Sequence, residues 1–445
     1  MDEGAVDAAD ATQPVTSLVE SVFREEHGRL LASLVSRFGD LDLAEEVASE
    51  ALEAALVHWP ADGVPKRPGA WLLTTARRKA VDRLRRDHAY AARLAVLQVE
   101  ADRAAPAPPP DAGGGSELPD ERLQLFFTCA HPALSAEARS ALMLRCLAGL
   151  TTPEVARAFL VPPATMAQRI VRAKKKIRQA RIPFRVPGAD ELPERLEGVL
   201  QVIYSLFTEG YTASSGPRLQ RPGLAEEAIR LARILHRLLP AEREATGLLA
   251  LMLLIHARRD ARTGPDGELV LLEDQDRGRW DHPLIAEGLA LVPVALTGGP
   301  PGRYGVQAAI AALHDEATDL AATDWPQIVA LYDVLLALDP SPVVAVNRAA
   351  AVAMRDGPDA GLALLDALAD EPLLRGYHPY PAARADLLHR LGRLSEAAAA
   401  YRQALDLAGT EPERAHLRHR LQAVESETCR PQVGRPPRPD STGGA

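Results

Sequence analysis

The side chains best suited to recognition chemistry lie in residues 151–178. On a helical wheel, Thr165, Gln168, Arg169, Arg172 and Lys175 share one side, and Lys176 adjoins them. Met166, Ile170, Ala173 and Ile177 recur at i, i+4, i+7 and i+11 and form an apolar stripe. Gln and Arg offer paired hydrogen bonds to base edges, while Lys neutralises phosphates. Between Arg157 and Arg185 there are nine basic residues and no acidic one. Just upstream, Thr151 with Glu154 three residues later predicts a capped helix start. The short helix should bury Val155, Ala156 and Phe159, and a turn follows at 160–163. Two helices in this order form a helix-turn-helix whose second member suits a major groove. A basic run by itself is usually a solvated face. Here the cap, the turn length, the stripe and the one-sided charge coincide, so duplex DNA binding is expected.

A second cluster spans residues 70–86. From Lys66 to Arg86 there are eight basic residues and one acid, Asp82. Arg78, Asp82, Arg85 and Arg86 share a helix flank, Arg77 adjoins it, and Trp71 and Leu72 begin the apolar side. Cations beside an aromatic ring suit single-stranded nucleic acid, where backbone attraction and base stacking combine. The competing reading is a surface helix in which Asp82 pairs with Arg78 and Arg86, at some tenths of a kcal/mol per pair.

Covalent chemistry is not expected. There is no phosphate loop, no Gly-x-Ser-x-Gly and no His-Glu-x-x-His. His416 and His419 sit three apart without a third ligand nearby, so neither a metal nor another cofactor is expected. Cys129, Cys146 and Cys429 have no recognisable spacing, which predicts reduced thiols in a cytoplasmic protein. No apolar run reaches membrane-spanning length. Met1 to Pro14 is acidic and lacks the apolar core of a secretion signal.

The elements that must position these groups are helical. The chain has 445 residues, enough for two to four domains. Hydrophobic residues make up 47% and aromatics only 4%, so the cores should be Ala, Leu and Val, which suits helices. The net charge of −9 would disfavour DNA if it were uniform, but residues 190–428 carry 35 acids and 23 bases, a local −12. The remainder sums to +3, and a phosphate feels charge only within a screening length of roughly 10 Å.

Leu30, Leu31, Leu34, Val35 and Phe38 predict a first helix stopped by Gly39. Asp42 with Glu45 predicts a capping box for a second helix, ending at Pro60. A third should open at Pro68 and reach about Arg86. Four prolines and three consecutive glycines in 104–116 predict a flexible linker. The expected organisation is a helical bundle at 15–97, a linker at 98–118, a DNA-binding module at 119–186, a helical extension at 190–425 and a disordered tail at 426–445.

The extension holds a weak repeat with offsets of 4, 3 and 5. Its members are Ala228, Ala232, Leu235 and Pro240; Ile328, Tyr332, Leu335 and Pro340; and Ala360, Leu364, Ala367 and Pro372. Ala397, Tyr401 and Ala404 fit again, with Gly409 in the last place. The pattern resembles the second helix of a tetratricopeptide (TPR) repeat.

Taken together, residues 15–185 resemble the sigma-70 family of RNA polymerase subunits, specifically its extracytoplasmic-function type. Residues 42–51 (DLAEEVASEA) resemble the region 2 helix that docks on polymerase. The resemblance implies that Asp42, Glu45, Glu46 and Glu50 meet a basic surface on the clamp. Residues 70–86 resemble the helix that captures the melted −10 element, implying roles for Trp71, Arg77, Arg78, Asp82, Arg85 and Arg86. Residues 134–150 and the helix-turn-helix after them resemble region 4. This assigns the −35 duplex to Thr165, Gln168, Arg169, Arg172, Lys175 and Lys176. Two positions depart from the family pattern. Arg78 replaces the usual Asn, and Thr165-Met-Ala-Gln-Arg169 replaces Thr-Val-Lys-Ser-Arg.

The resemblance implies an all-α, non-enzymatic factor whose partners are core RNA polymerase and promoter DNA. It also implies a TPR-like helical-hairpin extension that modulates activity and offers a place for a regulatory partner or ligand. The extension's −12 suggests that it folds back on the basic helices. Two alternatives are a helix-turn-helix regulator that acts without core polymerase, and a TPR-type scaffold or sensor.

Overall fold

The computed structural model describes residues 6–98 and 121–428 and is all-α. The expected linker and tail fall almost wholly outside these residues. Among the described residues there are eighteen α-helices, no strand and two isolated β-bridges. They divide into two compact units: residues 1–207 with 226–239, and residues 208–225 with 240–445.

The first unit opens with α1 (Val6–Phe38), α2 (Leu41–Asp62) and α3 (Pro68–Gln98). Leu30, Leu31, Leu34 and Val35 of α1 are buried, as their spacing predicts. Against them lie Ala44, Val47, Ala48, Ala51 and Ala55 of α2 and Leu72, Leu73, Ala76 and Ala80 of α3. Small residues on α2 allow the backbones to approach closely.

Gly39 ends α1 at φ +69°, a conformation that costs glycine little. Asp40 is left extended, and its carboxylate accepts from the Asp42 and Leu43 amides at 2.8 and 3.1 Å. Asp40 is therefore the cap of α2, in place of the Asp42–Glu45 box read from the sequence. The helix also continues through Pro60 to Asp62, because Gly63 N–H closes the last turn on the Trp59 carbonyl at 3.0 Å. Pro68 opens α3 as expected, but the helix runs on to Gln98.

Next come α4 (Arg122–Cys129), α5 (Ala136–Leu142), a π-helical turn at Met143–Leu147, α6 (Thr152–Ala158) and α7 (Pro163–Gln179). Phe126, Phe127, Leu142, Met143, Leu144 and Leu147 are fully buried there. Then α8 (Leu192–Tyr211) leads to α9 (Pro222–Leu238). Arg195 Nη2 donates to the Phe127 carbonyl at 2.8 Å. Arg230 Nη2 donates to the Ala148 carbonyl at 2.7 Å, tying α9 to the end of the π-turn.

The second unit contains α10 (Arg243–Ala257), α11 (His282–Leu296), α12 (Arg303–Glu316), α13 (Trp325–Leu338) and α14 (Pro342–Asp356). It continues with α15 (Pro358–Asp366), α16 (Pro379–Arg390), α17 (Leu394–Leu407) and α18 (Glu411–Thr428). Each helix packs on the next in sequence. α10 is apolar nearly all round and buried accordingly. Gly247 meets Gly305 of α12 so closely that a Cβ on Gly247 would lie 2.6 Å from the Gly305 nitrogen.

The segment ahead of α9 also belongs to this second unit. Arg262, just past α10, donates to the Tyr211 carbonyl and to Thr212 Oγ1, the latter at 3.1 Å. On its other side the segment meets the start of α18. Gly216 bridges Thr410, and Glu411 N–H donates to the Gly216 carbonyl at 3.2 Å. First and last helices of the row are therefore joined through one short loop.

Candidate nucleic-acid interface

The α6–α7 pair is built as its residues predict. Thr151 Oγ1 accepts from the Glu154 amide at 3.4 Å, and Glu154 Oε2 accepts from the Thr151 amide at 2.7 Å. Both directions of the capping box are thus made. Val155 and Ala156 are buried, whereas Phe159 is only half-buried because it has already left the helix as its C-cap. The turn passes through Leu160 at φ +51° and closes with Val161 N–H on the Ala156 carbonyl at 3.0 Å.

Met166, Ile170 and Ala173 anchor α7, with Ile177 half-buried at its end. Thr165, Gln168, Arg172, Lys175 and Lys176 are exposed, and Arg169 is half-buried. The helix ends with Arg181 at φ +50° and Ile182 N–H reaching back to the Ile177 carbonyl at 3.0 Å, a Schellman-type stop.

A groove of about 410 Å³ runs between α7 and the start of α5. Arg169, Arg172 and Lys176 line one wall, and Ser135 and Glu137 the other. The backbone amide at the helix start, then the Ser135 hydroxyl, hold the Glu137 carboxyl below the usual range. The outward side of α7 is thus cationic and unencumbered enough to meet phosphates, with Gln168 beside its arginines.

On α3 the structure sorts the predicted residues differently. Arg78, Asp82, Arg85 and Arg86 are exposed. Arg86 Nε donates to the Asp82 main-chain carbonyl at 3.3 Å. Trp71 is half-buried and packs edge-on against the buried Trp59, with ring centroids 5.5 Å apart. Arg77 turns inward. Its Nη2 donates to Ser33 Oγ of α1 at 3.5 Å, and burial lowers its proton affinity. Its place is in the packing of α3 on α1.

The four acids of α2 assigned to polymerase docking, Asp42, Glu45, Glu46 and Glu50, are all engaged. Glu46 pairs with Arg83, and Glu50 with Lys79 at 3.4 Å and Arg83 at 3.6 Å, both partners lying on α3. Asp42 and Glu45 instead meet α7 and the π-turn. Lys174 Nζ lies 3.1 Å from Asp42 Oδ1 and also bonds Glu45, while Arg178 bonds Asp42. Arg145 Nε lies 3.1 Å from Glu45 Oε1. Lys174, Arg145 and Arg178 were not singled out from the sequence. For Lys174 there was a signal: it stands four residues after Ile170 and three before Ile177, on the shoulder of the buried stripe.

Two further features fix α1 against the π-turn. A Cβ at Gly28 would lie 2.8 Å from the Leu147 carbonyl oxygen, so only glycine permits this approach. His27 is 2% exposed, and its pKa falls to about 3, first through burial and then through the nearby Arg145. The free thiols of Cys129 and Cys146 are buried close by. Their mutual hydrogen bond, with burial, pushes the Cys146 thiol well up.

Comparison with known families decides what this arrangement belongs to. Residues 23–89 match sigma-70 region 2, and residues 127–177 match sigma-70 region 4. The chain thus carries sigma-70 regions 2 and 4, which support a sigma-70 family sigma factor. The two regions support a role in promoter recognition as an RNA polymerase sigma factor, and they imply core polymerase and promoter DNA as partners. Residues 195–296 of this sigma factor match a further family, one of unknown function. A Rhizobium meliloti (strain 1021) protein described as uncharacterized is 44% identical over 399 residues, spanning 89% of this chain and 93% of the relative. Among the described residues no helix is long and apolar enough to cross a membrane.

Proposed function

We propose that this sigma factor is of the extracytoplasmic-function type, acts in the cytoplasm and divides its contacts among three surfaces. The helix-turn-helix α6–α7 reads the −35 duplex through Thr165, Gln168, Arg169, Arg172, Lys175 and Lys176. The exposed flank of α3, with Arg78, Asp82, Arg85 and Arg86, receives the melted −10 strand, and Trp71 and Arg77 shape that flank from within. The acidic side of α2, with Asp42, Glu45, Glu46 and Glu50, docks on core polymerase. The observation that carries this reading is the capped pair α6–α7 with Gln168, Arg172, Lys175 and Lys176 turned outward on one side.

The second unit is read as a TPR-like extension that modulates initiation and offers a surface to a regulatory partner or ligand. Support comes from the helices packed in sequence and from Ala397, Tyr401 and Ala404, all buried where the repeat places them. Run-off transcription from genomic fragments with purified core polymerase tests the assignment. Specific starts that require this chain are expected, and their absence in the presence of duplex binding would favour a regulator that works without polymerase. A shortened chain should end after Leu239 rather than near Asp190, because α8 and α9 donate Arg195 and Arg230 to the carbonyls of the first unit.

A further inference from the structure

Two helices of the second unit are more apolar than their burial requires. α11 carries one charged side chain, Glu287, besides His282, and α13 carries only Asp333. A helix apolar on nearly every side belongs inside a core. Both pack on α12, and Ile328, Val329 and Leu335 of α13 share a core with Val306 and Ile310 of α12. Yet each also turns an apolar side to solvent. On α11 the exposed stripe is Ala286, Ala290, Pro293 and Val294. On α13 it is Ala330, Val334, Ala337 and Leu338. The offsets are 4, 3 and 1 in both, which is one helix face. Val294, Val334 and Leu338 are 51%, 40% and 45% exposed. Place in the row does not explain this. α17, which follows α16 as α13 follows α12, exposes Glu396, Arg402, Gln403 and Asp406 instead.

The surroundings of the two stripes are acidic. Residues 283–340 hold seven acids and one base, Arg303. Glu287 stands three before Ala290 and seven before Val294, and Asp333 four before Ala337, so an acid borders each stripe. Asp333 also pairs with Arg348 at 2.6 Å, but both groups are partly exposed, and such a pair exchanges readily for another cation. Resting on the reading of the second unit as a surface for a regulatory partner, we propose that the outward sides of α11 and α13 dock a cationic amphipathic helix of another protein. Its apolar anchors cover Val294, Val334 and Leu338, and its Lys or Arg flanks lie beside Glu287 and Asp333. Anchors recurring at helical spacing are how such a helix is held. A second copy of this chain fits poorly, because it would set acid against acid.

Fluorescence anisotropy with the full-length protein tests this. The probe is a short labelled peptide with Leu on one helical face and Lys on the other. One control peptide has Glu in place of Lys, and another has the same residues in an order without an apolar face. The Leu/Lys peptide is expected to bind at micromolar concentration, and both controls roughly tenfold more weakly. Val334→Lys combined with Leu338→Lys should abolish binding of the Leu/Lys peptide and strengthen that of the Leu/Glu peptide. Gln403→Lys on the outward side of α17 should change neither. Val294→Ser with Val334→Ser, which adds no charge, should weaken the Leu/Lys peptide several-fold if the paired Lys variant does not fold. Leu/Lys binding that survives these substitutions, or equal binding of the Leu/Lys and Leu/Glu peptides, overturns the proposal. So does sedimentation in which the unaltered chain is a dimer and the paired Lys variant a monomer, which would give the face to a second copy. Run-off transcription with the Leu/Lys peptide, compared between the unaltered chain and the paired Lys variant, tests the underlying reading separately. An equal response of both, when only the unaltered chain binds the peptide, refutes modulation through this surface and leaves the docking intact.

Discussion

His27 should make the first unit sensitive to acid, and the size of the effect follows from its burial. The ring is enclosed between α1 and the π-turn, beside Phe23 at a centroid distance of 4.9 Å. Its pKa falls from 6.5 to about 3 because burial, followed by Arg145, disfavours the charged form. The unfolded chain takes up a proton near pH 6.5, whereas the folded chain does not until about pH 3. Between these values the unfolded state binds more protons, so stability falls as the pH drops from 6.5 towards 3. At pH 5 the loss relative to pH 8 works out at about 2 kcal/mol, nearly independent of where the folded value lies below 4. His27→Leu removes the titration together with the two buried ring nitrogens. Urea unfolding in a Trp280→Phe, Trp325→Phe background would isolate Trp59 and Trp71 as reporters of the first unit. The His27 protein should lose about 2 kcal/mol more than His27→Leu between pH 8 and pH 5. Equal losses in both would refute the assignment of acid sensitivity to this ring.

Other expectations are as direct. Arg172→Ala should weaken duplex binding for all sequences and reduce the salt slope by about one, measured by fluorescence anisotropy across a salt series. Gln168→Ala should instead relax preference at one base pair, by about 1–3 kcal/mol in competition with variant duplexes. Leu160→Gly should stabilise the protein by about 1 kcal/mol in thermal melts, since the residue is 55% exposed and held at φ +51°. Gly28→Ala should destabilise the first unit by about 1–3 kcal/mol, because its methyl would press on the Leu147 carbonyl.

What could be read from the sequence was local. The Thr151 box, the stripe from Met166 to Ile177 and the outward Gln168 and Arg172 all depend on residues a few positions apart, where helical periodicity dictates the outcome. The errors arose where two local choices competed. Asp40 and Asp42 are both good caps, and the left-handed Gly39 selected Asp40 by leaving it extended. Arg77 sits on the border between flank and core, and Ser33 of α1 drew it inward. In the repeat, Ala228, Ala232 and Leu235 are buried, but at 360–367 the buried residues are Gly361, Leu362 and Leu365, a shift in phase that spacing alone does not reveal. Lys174 and Glu45 are 129 residues apart, and no periodic pattern encodes such a pairing.

The loop that joins Arg262 to Thr410 has a consequence for how the second unit can change. An open row of hairpins grows or shrinks by duplication, since its terminal members touch nothing beyond one neighbour. Here Gly409 lies so close to the Ser214 carbonyl that a methyl would approach within 2.2 Å, and Thr410 is wholly enclosed. Inserting or removing a hairpin anywhere between α10 and α18 would carry Thr410 away from Gly216. The number of members is thereby counted by the clasp itself, and variation should enter through side chains rather than through length.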